Sequence, residues 1–207
     1  SERGGLLRVP DVYMEKIAVG PEAASVIDID STPTENVRKV AGALSKEISE
    51  VTVAILERPR HDDLIAEVRA TGARVQLFTD GDITMALATC FPANPVDMLI
   101  GVGGSAEAVI TAAAMRCVGG EIICRWKPKD DQHRTRLREA GITDFSTIFR
   151  SQDLARGKDL SFTATGIMNG PLAKGVTVGA QHILTHSVVM TSNPATVRFI
   201  KTRHLTS

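Results

Sequence analysis

The chain has 207 residues, enough for one large domain or two small ones, and with 43% hydrophobic against 23% charged residues it is globular rather than disordered. Lys plus Arg and Asp plus Glu number 24 each, so bulk charge recommends neither nucleic acid nor an anionic membrane, and any basic site has to be local. No apolar run approaches the roughly 20 residues of a membrane helix, and Ser1-Glu-Arg-Gly-Gly has no apolar signal segment.

The absence of an initiator Met leads to the expectation of a processed product or a piece of a longer protein. Asp11-Val-Tyr13-Met-Glu-Lys16 holds the only tyrosine, which reads either as a ligand hydrogen-bonder or as half-buried structure at the edge of an element. Residues 33–44 predict a helix with Thr32 or Ser31 as N-cap. Strands over 51–56, 73–78 and 96–102 then alternate with helices over 61–71, 83–89 and 105–117, and a short strand follows at 121–124. That alternation, with short connections, predicts an α/β layer of largely parallel strands. Past Trp126 the chain turns strongly charged, and 132–140 reads as a solvated helix ending at Gly141. The tail reads as β, with strands at 160–165, 183–191 and 196–204. Ser192-Asn-Pro-Ala makes a turn, so the chain closes on an antiparallel hairpin.

The three cysteines, Cys90, Cys117 and Cys124, lack metal spacing and sit in apolar contexts. An odd number of this kind fits a reducing compartment and small buried residues, with a Cys117–Cys124 redox pair as the alternative.

Three turns carry the chemistry, each after an apolar strand and before a helix. Gly101, Gly103 and Gly104 let the backbone approach a ligand, and the helix that follows favours an anion, phosphate above all. Glu107 stands at that helix start. A carboxylate beside a phosphate repels it unless a cation sits between them, which suggests a metal-assisted site. Arg58-Pro59-Arg60-His61-Asp-Asp offers two guanidinium forks as a sugar-phosphate clamp, or else a solvated loop whose arginines pair with Asp62 or Asp63. His61 reads as a hydrogen-bonder at the helix start. Asp80-Gly81-Asp82 offers two carboxylates for sugar hydroxyls or a cation, or else a plain turn with Asp82 capping the next helix. If the strands are parallel neighbours, all three turns open on one sheet edge and converge. A dinucleotide site at Gly101–Gly104 is the weaker reading, because the third spaced glycine is missing.

These motifs resemble the carboxyl-terminal part of class II fructose-1,6-bisphosphatases, including the cyanobacterial type that also hydrolyses sedoheptulose 1,7-bisphosphate. The matching pieces are Asp11-Val-Tyr-Met-Glu-Lys-Ile-Ala-Val-Gly-Pro21, Arg58-Pro-Arg-His61, Asp80-Gly-Asp82, Gly101-Val-Gly-Gly104 with Glu107, Ala112-Ala-Ala-Met-Arg-Cys117, Gly141-Ile-Thr-Asp144 and Ala164-Thr-Gly-Ile167. They follow the family's order over nearly the whole chain.

The resemblance implies a layered, sugar-phosphatase-like α/β fold that is incomplete without its amino-terminal half. Residues 1–50 are then a linker to that half plus a helix, and residues 51–207 a sugar-phosphate-binding domain. It implies hydrolysis of the 1-phosphate with Mn²⁺ or Mg²⁺, in gluconeogenesis or carbon fixation. Tyr13 is implied to contact substrate, Arg58, Pro59 and Arg60 to grip the distal phosphate, and Asp80, Gly81 and Asp82 to bind the sugar. Gly104 lines the same pocket, and Glu107 is a metal ligand. The expected partner is a small sugar bisphosphate, with no nucleic acid and no membrane. The chain is expected to be a homo-oligomer or to associate with the missing half, in the cytoplasm or alternatively the chloroplast stroma.

The family's Gly-Glu-Gly-Glu-type and Asp-Pro-x-x-Gly-Thr stretches, which carry most metal carboxylates and the catalytic groups, do not occur in this sequence. A single glutamate cannot hold a hard cation that takes about six oxygens, so this polypeptide alone is expected to have little or no phosphatase activity. The alternative is a non-catalytic sugar-phosphate-binding or regulatory module. Ser105, Ala106 and Ala108 replace the Ala-Pro and Gly of the resemblance, and the stretch from Gly119 to Asp131 looks short.

Overall fold

The computed structural model describes residue 1 and residues 3–205. Six strands form the first sheet: β1 (Tyr13–Val19), β2 (Thr52–Leu56), β3 (Arg74–Phe78), β4 (Met98–Gly104), β5 (Glu121–Trp126) and β6 (Ile148–Arg150), in the order β3-β2-β4-β1-β5-β6. β2 pairs parallel with both β3 and β4, while β1 runs antiparallel between β4 and β5. Strands β2 to β5 therefore all point one way, as the strand–helix alternation predicts.

β1 is the strand that the pattern misses. Residues 1–50 are more than a linker and a helix, because Tyr13–Val19 sits at the centre of the sheet. Glu15 and Lys16 interrupt its apolar run, so it shows neither a clean alternation nor a continuous hydrophobic stretch.

Helices α1 (Pro33–Ala43) and α2 (Asp62–Ala70) cover one face, where Val37, Val40, Ile65 and Val68 pack with Ile17, Val53 and Ile55. Thr32 and not Ser31 caps α1: its hydroxyl accepts from the Glu35 N–H at 3.2 Å while Glu35 accepts from the Thr32 N–H at 2.8 Å. Helices α3 (Asp82–Ala88) and α4 (Ser105–Val118) cover the other face, with Met14, Ala18, Leu99 and Ile122 beneath them. α4 is buried on nearly every side, because a second sheet packs on its outer face. Its Ala108, Ala112, Ala113 and Ala114 are small enough for both sheets to approach it closely.

After α5 (Asp131–Glu139) and α6 (Ser151–Leu154), that second sheet is built from β7 (Ser161–Thr165), β8 (Thr177–Val178), β9 (His182–Ser192) and β10 (Ala195–Leu205). β9 and β10 make the expected antiparallel hairpin, in register from Ser192 opposite Ala195 to His182 opposite Leu205. β6, α6 and β8, two to four residues each, are too short to leave a periodic signal.

Candidate functional site

Because β2, β3 and β4 are parallel, the turns that leave their carboxyl ends lie along one sheet edge. The chain leaves β2 through α2 on one face toward β3, and leaves β4 through α4 on the other face toward β5. Adjacent strands whose connections part in this way open a crevice, the usual ligand position of an open α/β sheet. β1 runs the other way, so its beginning reaches the same edge, with Tyr13 opposite Gly104.

A cleft of ≈ 390 Å³ occupies this position, lined by Asp11, Tyr13, Leu56, Arg58, Arg60, Asp80, Asp82, Gly103, Gly104, Ala106 and Glu107. Gly101 and His61 do not line it, and of the residues expected to hold substrate or metal only Pro59 and Gly81 do not, both sitting in turns that carry lining residues. Pro59 begins the 3₁₀ turn Pro59–His61 that carries Arg60. Gly81 adopts φ +96°, a left-handed conformation that glycine tolerates best, and its N–H donates to Asp80 Oδ1 at 2.8 Å.

Neither arginine pairs with Asp62 or Asp63. Arg58 donates to the carbonyls of Glu57 (2.7 Å) and Thr79 (2.8 Å), which ties the β2 and β3 turns together. Arg60 donates twice to the Val102 carbonyl, at 3.1 and 2.8 Å, and its guanidinium lies 4.9 Å from the centre of the Tyr13 ring. Lys129 stands near the same ring, 5.6 Å from its centre. Tyr13 is thus both half-buried structure and a cleft wall, with His133 edge-on at 5.2 Å.

His61 is buried and staples β2 to β4. Its Nδ1–H donates to the Leu56 carbonyl at 2.7 Å, and its Nε2 accepts from the Val102 N–H at 2.8 Å. This pattern requires the neutral ring with the proton on Nδ1. Burial, chiefly, pushes the imidazole below its ordinary pKa, and the nearby Arg60 charge acts in the same direction.

Asp82 is not a helix cap. Gly81 holds that position, and the Asp82 carboxylate pairs with Lys16, whose Nζ is 3.0 Å from Asp82 Oδ2. Lys16 is 2% exposed and also reaches the Gly104 carbonyl at 3.4 Å and Glu107 Oε2 at 3.9 Å. Sequence reasoning missed it because β1 was missed. Once β1 is recognised, the period of two puts Lys16 on the same face as Met14 and Ala18, beneath α3 and α4.

Glu107 Oε2 accepts the Gly104 N–H at 3.1 Å, closing the first turn of α4. Ser105, one of the departures from the resemblance, is fully buried and donates to the Pro10 carbonyl at 2.6 Å, which anchors the approach to β1. Among the described residues no three His, Cys, Asp or Glu side chains are grouped to hold a metal ion. The residues present therefore do not fit a complete divalent-cation site.

All three cysteines are free thiols, with Cys117 and Cys124 buried. Burial pushes Cys124 up to about 12 and Cys90 up to about 11, which makes both poor nucleophiles at neutral pH. Among the described residues no helix is long and apolar enough to cross a membrane.

Comparison with known proteins identifies the family. The family model described as bacterial fructose-1,6-bisphosphatase, glpX-encoded, matches residues 1–204. The chain is 40% identical to a D-fructose 1,6-bisphosphatase class 2/sedoheptulose 1,7-bisphosphatase of Synechococcus sp. (strain JA-2-3B'a(2-13)) over 99% of its own length and 62% of that protein's. It is also 40% identical to the protein of the same name from Thermosynechococcus vestitus, over 99% of this chain and 63% of that one. The chain thus spans somewhat under two thirds of the relatives it matches. The first alignment is 217 residues long against 207 in this chain, so that relative carries positions without a counterpart here. The chain belongs to the family of bacterial, glpX-encoded fructose-1,6-bisphosphatases.

Proposed function

We propose that the cleft binds a sugar bisphosphate, fructose 1,6-bisphosphate and also sedoheptulose 1,7-bisphosphate, as the substrate-holding part of a metal-dependent 1-phosphatase. The observation that carries this reading is the convergence of Arg58, Arg60, Asp80, Asp82, Gly104 and Glu107 on one cleft at the carboxyl ends of β2, β3 and β4. Arg58 and Arg60 grip the phosphate remote from the reacting one, so binding energy is drawn from a group that does not change during hydrolysis. Their carbonyl partners fix the direction of both guanidiniums before the ligand arrives. Asp80 and Asp82 accept sugar hydroxyls, and the bare backbone of Gly104 lets the sugar lie close to β4.

Charge argues that this cleft works with a cation. Four carboxylates line it (Asp11, Asp80, Asp82 and Glu107) against two arginines, with Lys16 behind them. A bisphosphate entering that field is repelled unless further positive charge comes with it. We propose Mn²⁺ or Mg²⁺ as that charge, with Glu107 supplying one oxygen and the remaining ligands coming from polypeptide outside this chain's described residues. A metal bound there would neutralise charge on the reacting phosphoryl group.

The chain alone is accordingly expected to bind but not to turn over. Calorimetric titration with fructose 1,6-bisphosphate should give saturable binding, and NAD should give none. Phosphate release from the same substrate with Mn²⁺ should stay at background. Robust turnover by the isolated chain overturns the claim that its metal site is incomplete, and absence of any sugar-phosphate binding overturns the site itself.

A further inference from the structure

We infer that Lys16 is a positioning residue of this cleft, whose ammonium fixes the Asp82 carboxylate in the geometry the sugar requires. The inference rests on the reading of the cleft as a sugar-phosphate site and adds to it a residue that does not line the cleft.

The argument begins with the cost of the residue. A lysine that is 2% exposed in the central strand of a sheet has given up its hydration, and an apolar side chain of similar volume would occupy the same place without that penalty. What the charge achieves is placement. Lys16 is the point where α3 and α4 meet β1: Asp82 is the first residue of α3, Glu107 lies in the first turn of α4, and Gly104 ends β4. Its Nζ stands 3.0, 3.9 and 3.4 Å from Asp82 Oδ2, Glu107 Oε2 and the Gly104 carbonyl, so one cation holds two carboxylates of separate helices that would otherwise repel each other.

The neighbouring backbone is shaped for the pair. A Cβ on Gly103 would come within 2.4 Å of Asp82 Oδ2 and 2.8 Å of Lys16 Nζ. Gly103 is therefore the space in which the ion pair sits, which gives this glycine a reason independent of ligand approach.

Two probes separate a positioning role from a merely structural one. Inorganic phosphate reads the arginines alone, whereas fructose 6-phosphate also reads the sugar side held by Asp82. In the full 207-residue chain, Lys16→Met should weaken fructose 6-phosphate at least tenfold by calorimetry, while phosphate affinity by NMR titration stays unchanged. Loss of both affinities together, or of neither, overturns the inference. If Lys16→Met fails to fold, the charge-balanced pair Lys16→Met/Asp82→Asn is compared with Asp82→Asn alone. Equal fructose 6-phosphate affinity supports action through Asp82, and a further loss in the double variant overturns it. A wild-type chain that binds phosphate but not fructose 6-phosphate overturns the sugar-site reading, and the role of Lys16 with it.

Discussion

Replacing His61 with Phe tests how the cleft is held open, because the ring's shape is nearly kept while both polar atoms are lost. The Leu56 carbonyl loses its 2.7 Å donor and the Val102 N–H its 2.8 Å acceptor, in a pocket where the histidine is 1% exposed. Each buried backbone group left unsatisfied costs about 1–3 kcal/mol, so the pair predicts a loss of about 2–6 kcal/mol. For a chain of this size, at roughly 2–4 °C per kcal/mol, the melting temperature should fall by about 4–24 °C. The loss should depend on pH. Burial lowers the folded-state pKa of His61 below the unfolded value, so the unfolded chain binds the extra proton first as pH falls. The stabilisation is complete above pH ~6.5 and declines as pH drops through the folded pKa, whereas Phe has nothing to titrate. The gap between wild type and His61→Phe should therefore narrow between about pH 7 and pH 5. Thermal melts across that range are the assay. A variant melting within about 1 °C of wild type, or a gap that widens in acid, refutes the staple.

Arg60→Ala removes a charge-assisted phosphate contact worth about 1.5–3 kcal/mol, so fructose 6-phosphate should bind about 10- to 100-fold more weakly by calorimetry with the melting temperature nearly kept. Gly103→Ala drives a methyl into the Lys16–Asp82 pair and should cost about 1–3 kcal/mol in urea denaturation. Gly42→Ala is its counterpart: nothing lies within 4 Å of the added carbon in α1, and the helix should gain about 0.5–1 kcal/mol. Cys90 and Cys124, with pKa values raised to about 11 and 12, should resist a thiol reagent at pH 8 until urea unfolds the chain, and mild oxidation should leave Cys117 and Cys124 unbridged.

The legible parts of this sequence are those whose cause is local. Val51-Thr-Val-Ala-Ile-Leu56 and Val96-Asp-Met-Leu-Ile100 are apolar runs closed by turn residues, and each leads into a helix start, so both the strands and the site turns can be read from a dozen neighbouring residues. Their convergence follows from one assumption, parallel pairing of β2 with β3 and β4, and the sheet has it. The illegible parts depend on contacts made far along the chain. The Arg60 guanidinium and His61 ring are set by Val102, 42 and 41 residues away. β1 pairs on both sides with strands 79 or more residues downstream, so burial on both faces, and not an alternating pattern, decides its membership.

Lys16 shows how a physical constraint can be right while its expected agent is incomplete. Glu107 at an anion-binding helix start requires a cation nearby, and the sequence alone nominates a metal for that role. The chain's own ammonium stands 3.9 Å from Glu107 and 3.0 Å from Asp82, from a strand that the pattern concealed. Counted over the whole cleft, Arg58, Arg60 and Lys16 face Asp11, Asp80, Asp82 and Glu107, so one negative charge stands uncompensated before a bisphosphate brings its own. The same count that explains why a lysine is buried here therefore also explains why it is not enough. The lysine sets where the carboxylates stand, and the proposed cation would supply the positive charge that a bisphosphate still requires.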